Sequence, residues 1–116
     1  ASAVAFADVS LRPRTVTADR AEFLGRNGSP AFPAAMRRAD LSGHVGAGLD
    51  PCAALLGRFE VNPGESATVV FVIGQAADAA TAARLAVYHR DPGVAEASLR
   101  ETIAAWDRRL SAVKVK

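Results

Sequence analysis

The residues best equipped for chemistry crowd into the dozen from Asp19 to Pro30, "DRAEFLGRNGSP", which holds two acids, two arginines, an Asn-Gly step and a proline. Two carboxyl groups flanking a glycosidic bond can cleave it when one is held protonated and the other ionised. Asp19 and Glu22 cannot be assigned to such a pair from their spacing, and Asp19 is equally placed to cap a turn that begins at Arg20. Arg20 and Arg26 could form a planar fork for phosphate or carboxylate. The alternative is a salt bridge to Asp19, Glu22 or another segment, because neither the spacing nor the lysine of a P-loop is present.

Other polar groups are more dispersed. The glycines of "GHVGAGLD" run G-x-x-G-x-G, which is not the dinucleotide-binding order, and no strand-turn-helix surrounds them. His44 lies in that loop and His89 at a helix end, neither with a partner at metal-ligand spacing. The one cysteine, Cys52, excludes an internal disulfide and a cysteine-based zinc site, and reads as a small buried hydrophobe. No catalytic residue, metal ligand or cofactor site is therefore assigned to this chain.

The positioning elements follow from periodicity. "SAVAFADVSL" reads as a strand, with Arg12 and Pro13 marking its edge or exit. Asp19 to Asp50 reads as connection: Asn27-Gly28 favours a positive φ, Ser29-Pro30 breaks helices, and only Pro33–Ala39 suggests a short helix. "ALLGRFEV" and "ATVVFVIG", joined by "NPGES" with a type II turn at Pro63-Gly64, predict a β-hairpin. Asp78 and Asp91-Pro92 predict two helix starts. In the final helix Ala95, Leu99, Ile103, Trp106, Leu110 and Val113 form an apolar stripe that needs a cover.

Composition bounds the rest. A chain of 116 residues, half apolar and 22% charged, is one small folded domain by length, and a net charge of +2 with interspersed basic residues argues against nucleic-acid binding. No apolar run reaches the roughly 20 residues of a membrane helix, and "ASAVAFADVS" lacks the basic start of a signal peptide. Without a starting methionine, and ending on "VKVK" as though entering a strand, the chain reads as a fragment of a longer protein. Abundant alanine and arginine with only two lysines fits a GC-rich bacterial source.

The order of segments carries a further reading. "AFADVSL", "TADRAEFLGRNGSP", "SGHVGAGLDPCAAL", "VNPGESATVVFVIGQA" and "YHRDPGVAEASLRETIAAWDRRLSAVKV" together resemble the phosphorylase-like region of cyclic β-1,2-glucan synthases (NdvB-like), and through it the cellobiose and chitobiose phosphorylases of glycoside hydrolase family 94. The resemblance implies an α+β chain: the C-terminal part of a galactose-mutarotase-like β-sandwich over residues 1–76, then linker helices over 77–116 leading toward an (α/α)₆ catalytic barrel that lies outside this chain. It implies a glycosyltransferase or inverting phosphorylase parent with inorganic phosphate as co-substrate and a β-glucan oligosaccharide bound through the barrel. It also implies a parent anchored in the inner membrane, with this part on the cytoplasmic side. Asp19, Arg20, Phe23, Gly25 and Arg26 match its loop motif and become candidates for supporting a cleft or an interface. Strand edges left bare in a fragment predict self-association. The competing expectations are a free-standing carbohydrate-binding or protein-interaction module, which calls for exposed aromatics clustered on one sheet face, and a small independent enzyme.

Overall fold

A computed structural model describes residues 2–113. The chain is α+β, with antiparallel strands and helices, and divides into two compact units: residues 2–10 with 68–113, and residues 11–67.

In the first unit β1 (Val4–Val9) pairs antiparallel with β4 (Phe71–Ala76), in a register running from Val4 opposite Ala76 to Val9 opposite Phe71. α2 (Ala79–His89) packs on both strands and buries Ala82 and Ala86, whose small side chains sit one turn apart on one helix face. Phe6 lies across Gly74, where a Cβ would stand 2.7 Å from the ring, so the glycine makes room for the aromatic. Asp78 caps α2 by accepting from the Thr81 N–H at 2.8 Å and the Thr81 hydroxyl at 3.0 Å. Asp91 caps α3 (Pro92–Ser111) by accepting from the Val94 N–H, with Pro92 in the first turn. Both helix starts match the sequence signals.

In the second unit β2 (Arg14–Asp19) pairs antiparallel with β3 (Pro51–Gly57), and a bulge falls between Thr17 and Asp19. The β-branched run Thr15-Val16-Thr17 explains β2, an element the sequence reading passed over. α1 (Arg20–Leu24) follows directly, and a short 3₁₀ turn, Ala34–Arg37, lies within the segment expected to be helical. A small core of Ala35, Leu41 and Ala54 gathers Phe23, Cys52 and Leu56 around it.

Two expectations need correction. The predicted hairpin does not form: β3 pairs with β2 and β4 with β1, in separate units. Asn62–Glu65 does make the expected turn, with Gly64 at φ +83° and the Glu65 N–H donating to the Asn62 carbonyl at 3.0 Å, but it joins no paired strands. β3 ends at Gly57, whose missing Cβ admits Leu11, and Phe59 and Val61 beyond it are exposed. Pairing over a long sequence separation has won over pairing with the neighbour. Second, the positive φ near the Asn-Gly step belongs to Gly25, at +82°, and to neither Asn27 nor Gly28. The "VKVK" strand expectation falls, from residue 114 onward, outside the described residues, and α3 ends at Ser111.

Candidate functional site

The five sequence candidates all sit around α1, and a bulged strand end positions them. Asp19 closes β2 and caps α1: its Oδ1 accepts from the Ala21 N–H at 2.9 Å, while its Oδ2 faces His44 Nδ1 at 3.6 Å. Capping is thus its observed work, as residue type and position allow. Arg20 turns outward to Asp50 at 3.7 Å and donates to the Pro51 carbonyl at 3.2 Å. Phe23 packs against the small core. Gly25 ends the helix, donating its N–H to the Ala21 carbonyl at 2.9 Å, and an added Cβ would lie 2.7 Å from the Cβ of Ala34. Arg26 is exposed, with no polar partner among the described residues. Arg20 is committed to Asp50 and the Pro51 carbonyl at the start of β3, so the expected fork with Arg26 has no shared partner among the described residues.

The residue that organises this region is Glu22. Its carboxylate accepts from the Ser42 hydroxyl at 2.6 Å, the Thr17 hydroxyl at 2.7 Å and the Ser42 N–H at 2.8 Å, and pairs with Arg38 at 3.2 Å. Its side chain keeps only 9% of its accessible surface. Hydrogen bonds from the Ser42 and Thr17 hydroxyls and the Ser42 N–H, with a smaller contribution from the Arg38 charge, outweigh desolvation and bring its pKa down to about 2. A general acid must hold a proton near neutral pH, so Glu22 is excluded from that role.

Glu22 ties three segments together: Thr17 on β2, Arg38 after the 3₁₀ turn, and Ser42 at the head of the glycine loop. Residues 43 and 44 extend that attachment along β2, with the Gly43 N–H donating to the Val16 carbonyl and the Ala18 N–H to the His44 carbonyl, both at 2.8 Å. The sequence carried a signal for this. Asp19-x-x-Glu22 has the spacing of a capping box, in which the glutamate returns to the cap residue's N–H. Here the Asp19 N–H donates instead to Thr17 Oγ1 at 3.2 Å, and Glu22 is released for the loop.

Cys52 donates its thiol to the Thr17 carbonyl at 3.8 Å, and burial pushes its pKa up against an opposing effect of Arg20. A neutral, half-buried thiol is a packing group and a poor nucleophile. A shallow recess of about 140 Å³, between Arg14, Asp40, Leu56 and Arg58, contains none of the five candidates. Among the described residues no group of three or more His, Cys, Asp or Glu side chains could hold a metal ion, and no helix is long and apolar enough to cross a membrane.

In the first unit the sequence reading missed Asp8, which is buried at 5% exposure and pairs with Arg90 at 2.7 Å. An acid inside an apolar strand segment is the signal that a partner must exist. Among the described residues the exposed aromatics do not cluster on a sheet: Phe32, Phe59, Tyr88 and Trp106 lie on loops and helices, and on the exposed face of β4 Phe71 is accompanied by Ile73.

A protein-family model for the supersandwich domain of glycosyl hydrolase 94 matches residues 1–92, a span that ends at the first residue of α3. No curated protein and no solved structure matches the chain.

Proposed function

Because the chain belongs to the glycosyl hydrolase 94 supersandwich family, and so to a noncatalytic domain of carbohydrate-active enzymes, we propose that it serves a cyclic β-1,2-glucan synthase as sandwich and linker. The observation that carries the reading is the family match joined to the state of the local acids: Asp19 caps a helix and Glu22 is held ionised. Neither is left to protonate a leaving group. Catalysis then belongs to the barrel of the parent, where a carboxylic acid protonates the glycosidic oxygen as inorganic phosphate attacks the anomeric carbon with inversion. The β-glucan oligosaccharide is bound there, and this chain alone turns over no substrate.

In this reading residues 1–76 are the last part of the sandwich, and 77–116 lead toward the (α/α)₆ barrel. The Asp19–Arg26 segment and the glycine loop tied to Glu22 shape the edge of a cleft or an interface with that barrel. The parent is bacterial and anchored in the inner membrane, with this domain on the cytoplasmic side. Bare strand edges favour association between isolated copies.

The test is the full-length reading frame followed by phosphorolysis. A barrel sequence after Lys116, and release of sugar phosphate from β-1,2-glucan by the complete protein but not by this chain, is the expected result. Tight, linkage-specific binding of β-1,2-oligosaccharides by the isolated chain would instead support a free-standing binding module.

A further inference from the structure

The motif that the fold leaves without a role is Asn27-Gly28. The chain holds two asparagines, and their surroundings differ. Asn62 precedes Pro63, which has no backbone N–H, and its side-chain nitrogen donates to Glu65 Oε2 at 3.1 Å. Asn27 precedes a glycine, both residues are exposed, and its side-chain amide has no hydrogen-bond partner among the described residues.

The backbone around Asn27 is held lightly. Arg26 and Asn27 form the turn that follows α1, closed by the Gly28 N–H donating to the Gly25 carbonyl at 3.4 Å, longer than an ordinary backbone hydrogen bond. No side chain at residue 28 shields the peptide nitrogen from the Asn27 side chain. Glycine is nonetheless required there, because an added Cβ would overlap the Leu24 carbonyl oxygen. The packing that demands a glycine after Asn27 thus also places the least hindered peptide nitrogen beside its amide.

We infer that Asn27-Gly28 is a self-modification site, at which the folded chain deamidates without an enzyme. The Gly28 nitrogen bonds to Asn27 Cγ as the Cγ–Nδ2 bond breaks, and the Gly28 proton passes through solvent to Nδ2, which leaves as ammonia. Water then opens the cyclic imide. Opening at the side-chain carbonyl gives aspartate; opening at the main-chain carbonyl gives isoaspartate, whose Cβ and Cγ have become part of the main chain. Either product puts a carboxylate where a neutral amide stood and lowers the net charge of +2 by one. Isoaspartate also lengthens the main chain by one atom, in a turn that has no room beside Leu24. The turn must open, and Gly25, packed on Ala34, moves with it. Deamidation is then a one-way release of the segment between α1 and the 3₁₀ turn, set by elapsed time and not by a ligand.

This inference goes beyond the family reading and stands or falls independently of it. The full chain is incubated in mildly alkaline buffer, its peptides are weighed, and isoaspartate is read by methylation with an isoaspartyl methyltransferase. The Asn27 peptide should gain the mass of an acid and accept methyl groups, while the Asn62 peptide stays an amide. Asn27→Gln should stop the growth of acidic species, because closing the larger ring is much slower. Amide exchange across residues 20–38 should rise severalfold in the isoaspartyl form and stay unchanged in freshly prepared Asn27→Asp, which carries the charge without the added main-chain atom. An Asn27 that stays amidated in the folded chain, with or without reaction in denaturant, overturns the inference. So do acidic species that accumulate equally in Asn27→Gln. An isoaspartyl form with wild-type exchange overturns the release of the segment.

Discussion

Residues 11–67 and the unit formed by residues 2–10 with 68–113 each contain one two-stranded sheet, yet they are held together differently. In the first of these a single carboxylate gathers a strand, a turn and a loop through four directional partners around a core of three buried apolar residues. In the other a helix lies regularly on its two strands, with capped helix starts and the part-buried ion pair Asp8–Arg90. Directional polar contacts can hold an irregular loop in one shape where area-dependent burial cannot, because hydrogen bonds specify angle as well as distance. The loop-bearing unit is therefore the one whose surface shape depends on directional contacts.

The sharpest way to break the comparison is at Gly25. A side chain there meets both a backbone of φ +82° and ψ 169° and the Cβ of Ala34 at 2.7 Å. Gly25→Ala should cost about 3 kcal/mol, combining backbone strain with displacement of the 3₁₀ turn. Chemical denaturation with hydrogen exchange at residues 20–44 checks it. Unchanged exchange would mean that the loop's shape does not depend on the end of α1.

The comparison can be sharpened by titrating Glu22. Its folded-state pKa lies below the unfolded value, so the ionised form stabilises the fold. That contribution is fully present above the usual carboxylate range and is lost as pH falls toward about 2. Amide protection at Ser42 and Gly43 should decline over that acidic window in the wild type. Glu22→Gln should lose the charge-dependent part of the protection at all pH values and show a flat profile there. A steep acid profile surviving in Glu22→Gln would assign the effect to another carboxylate.

A smaller effect is expected in the other unit. Asp8→Asn leaves Arg90 without its anionic partner, but the arginine side chain retains 27% exposure and can recover some hydration. The loss should be about 2 kcal/mol, below the cost of stranding a fully buried charge. Exchange of the β1 and α2 amides reads it, and a loss as large as that of Gly25→Ala would erase the difference between the two units.

The legibility of these features in the sequence divides along physical lines. Helix starts at Asp78 and Asp91, the cap at Asp19 and the turn at Pro63-Gly64 depend on contacts within four residues, and all were readable. β2 was hidden because Arg14-Thr-Val-Thr alternates too briefly between a proline and an acid. The pairing of β3 with β2 in place of β4 depends on Thr15 to Thr17 finding Ala54 to Leu56 across a long loop, which no local pattern encodes. Glu22 was visible as an acid, but its partners Thr17, Arg38 and Ser42 lie 5 to 20 positions away and become neighbours only when the loop closes. The segment order pointed to the family that the domain match supports, while the polarity of Asp19–Arg26 reflects capping and loop anchoring.

Arg20 gives the mildest and most discriminating test. Its side chain is half exposed, as is that of Asp50, and their 3.7 Å approach is solvated. Arg20→Ala should cost no more than about 1 kcal/mol, from an exposed ion pair and an exposed hydrogen bond to the Pro51 carbonyl, with the backbone bond from the Arg20 N–H to the Asp50 carbonyl left in place. The isolated chain should therefore melt almost unchanged. If the phosphorolysis proposed for the complete enzyme nevertheless falls severalfold, the loss cannot be attributed to stability, and Arg20 acts through what this loop touches in the proposed parent. If melting and that phosphorolysis are both unchanged, Arg20 has no supporting part in the proposed cleft.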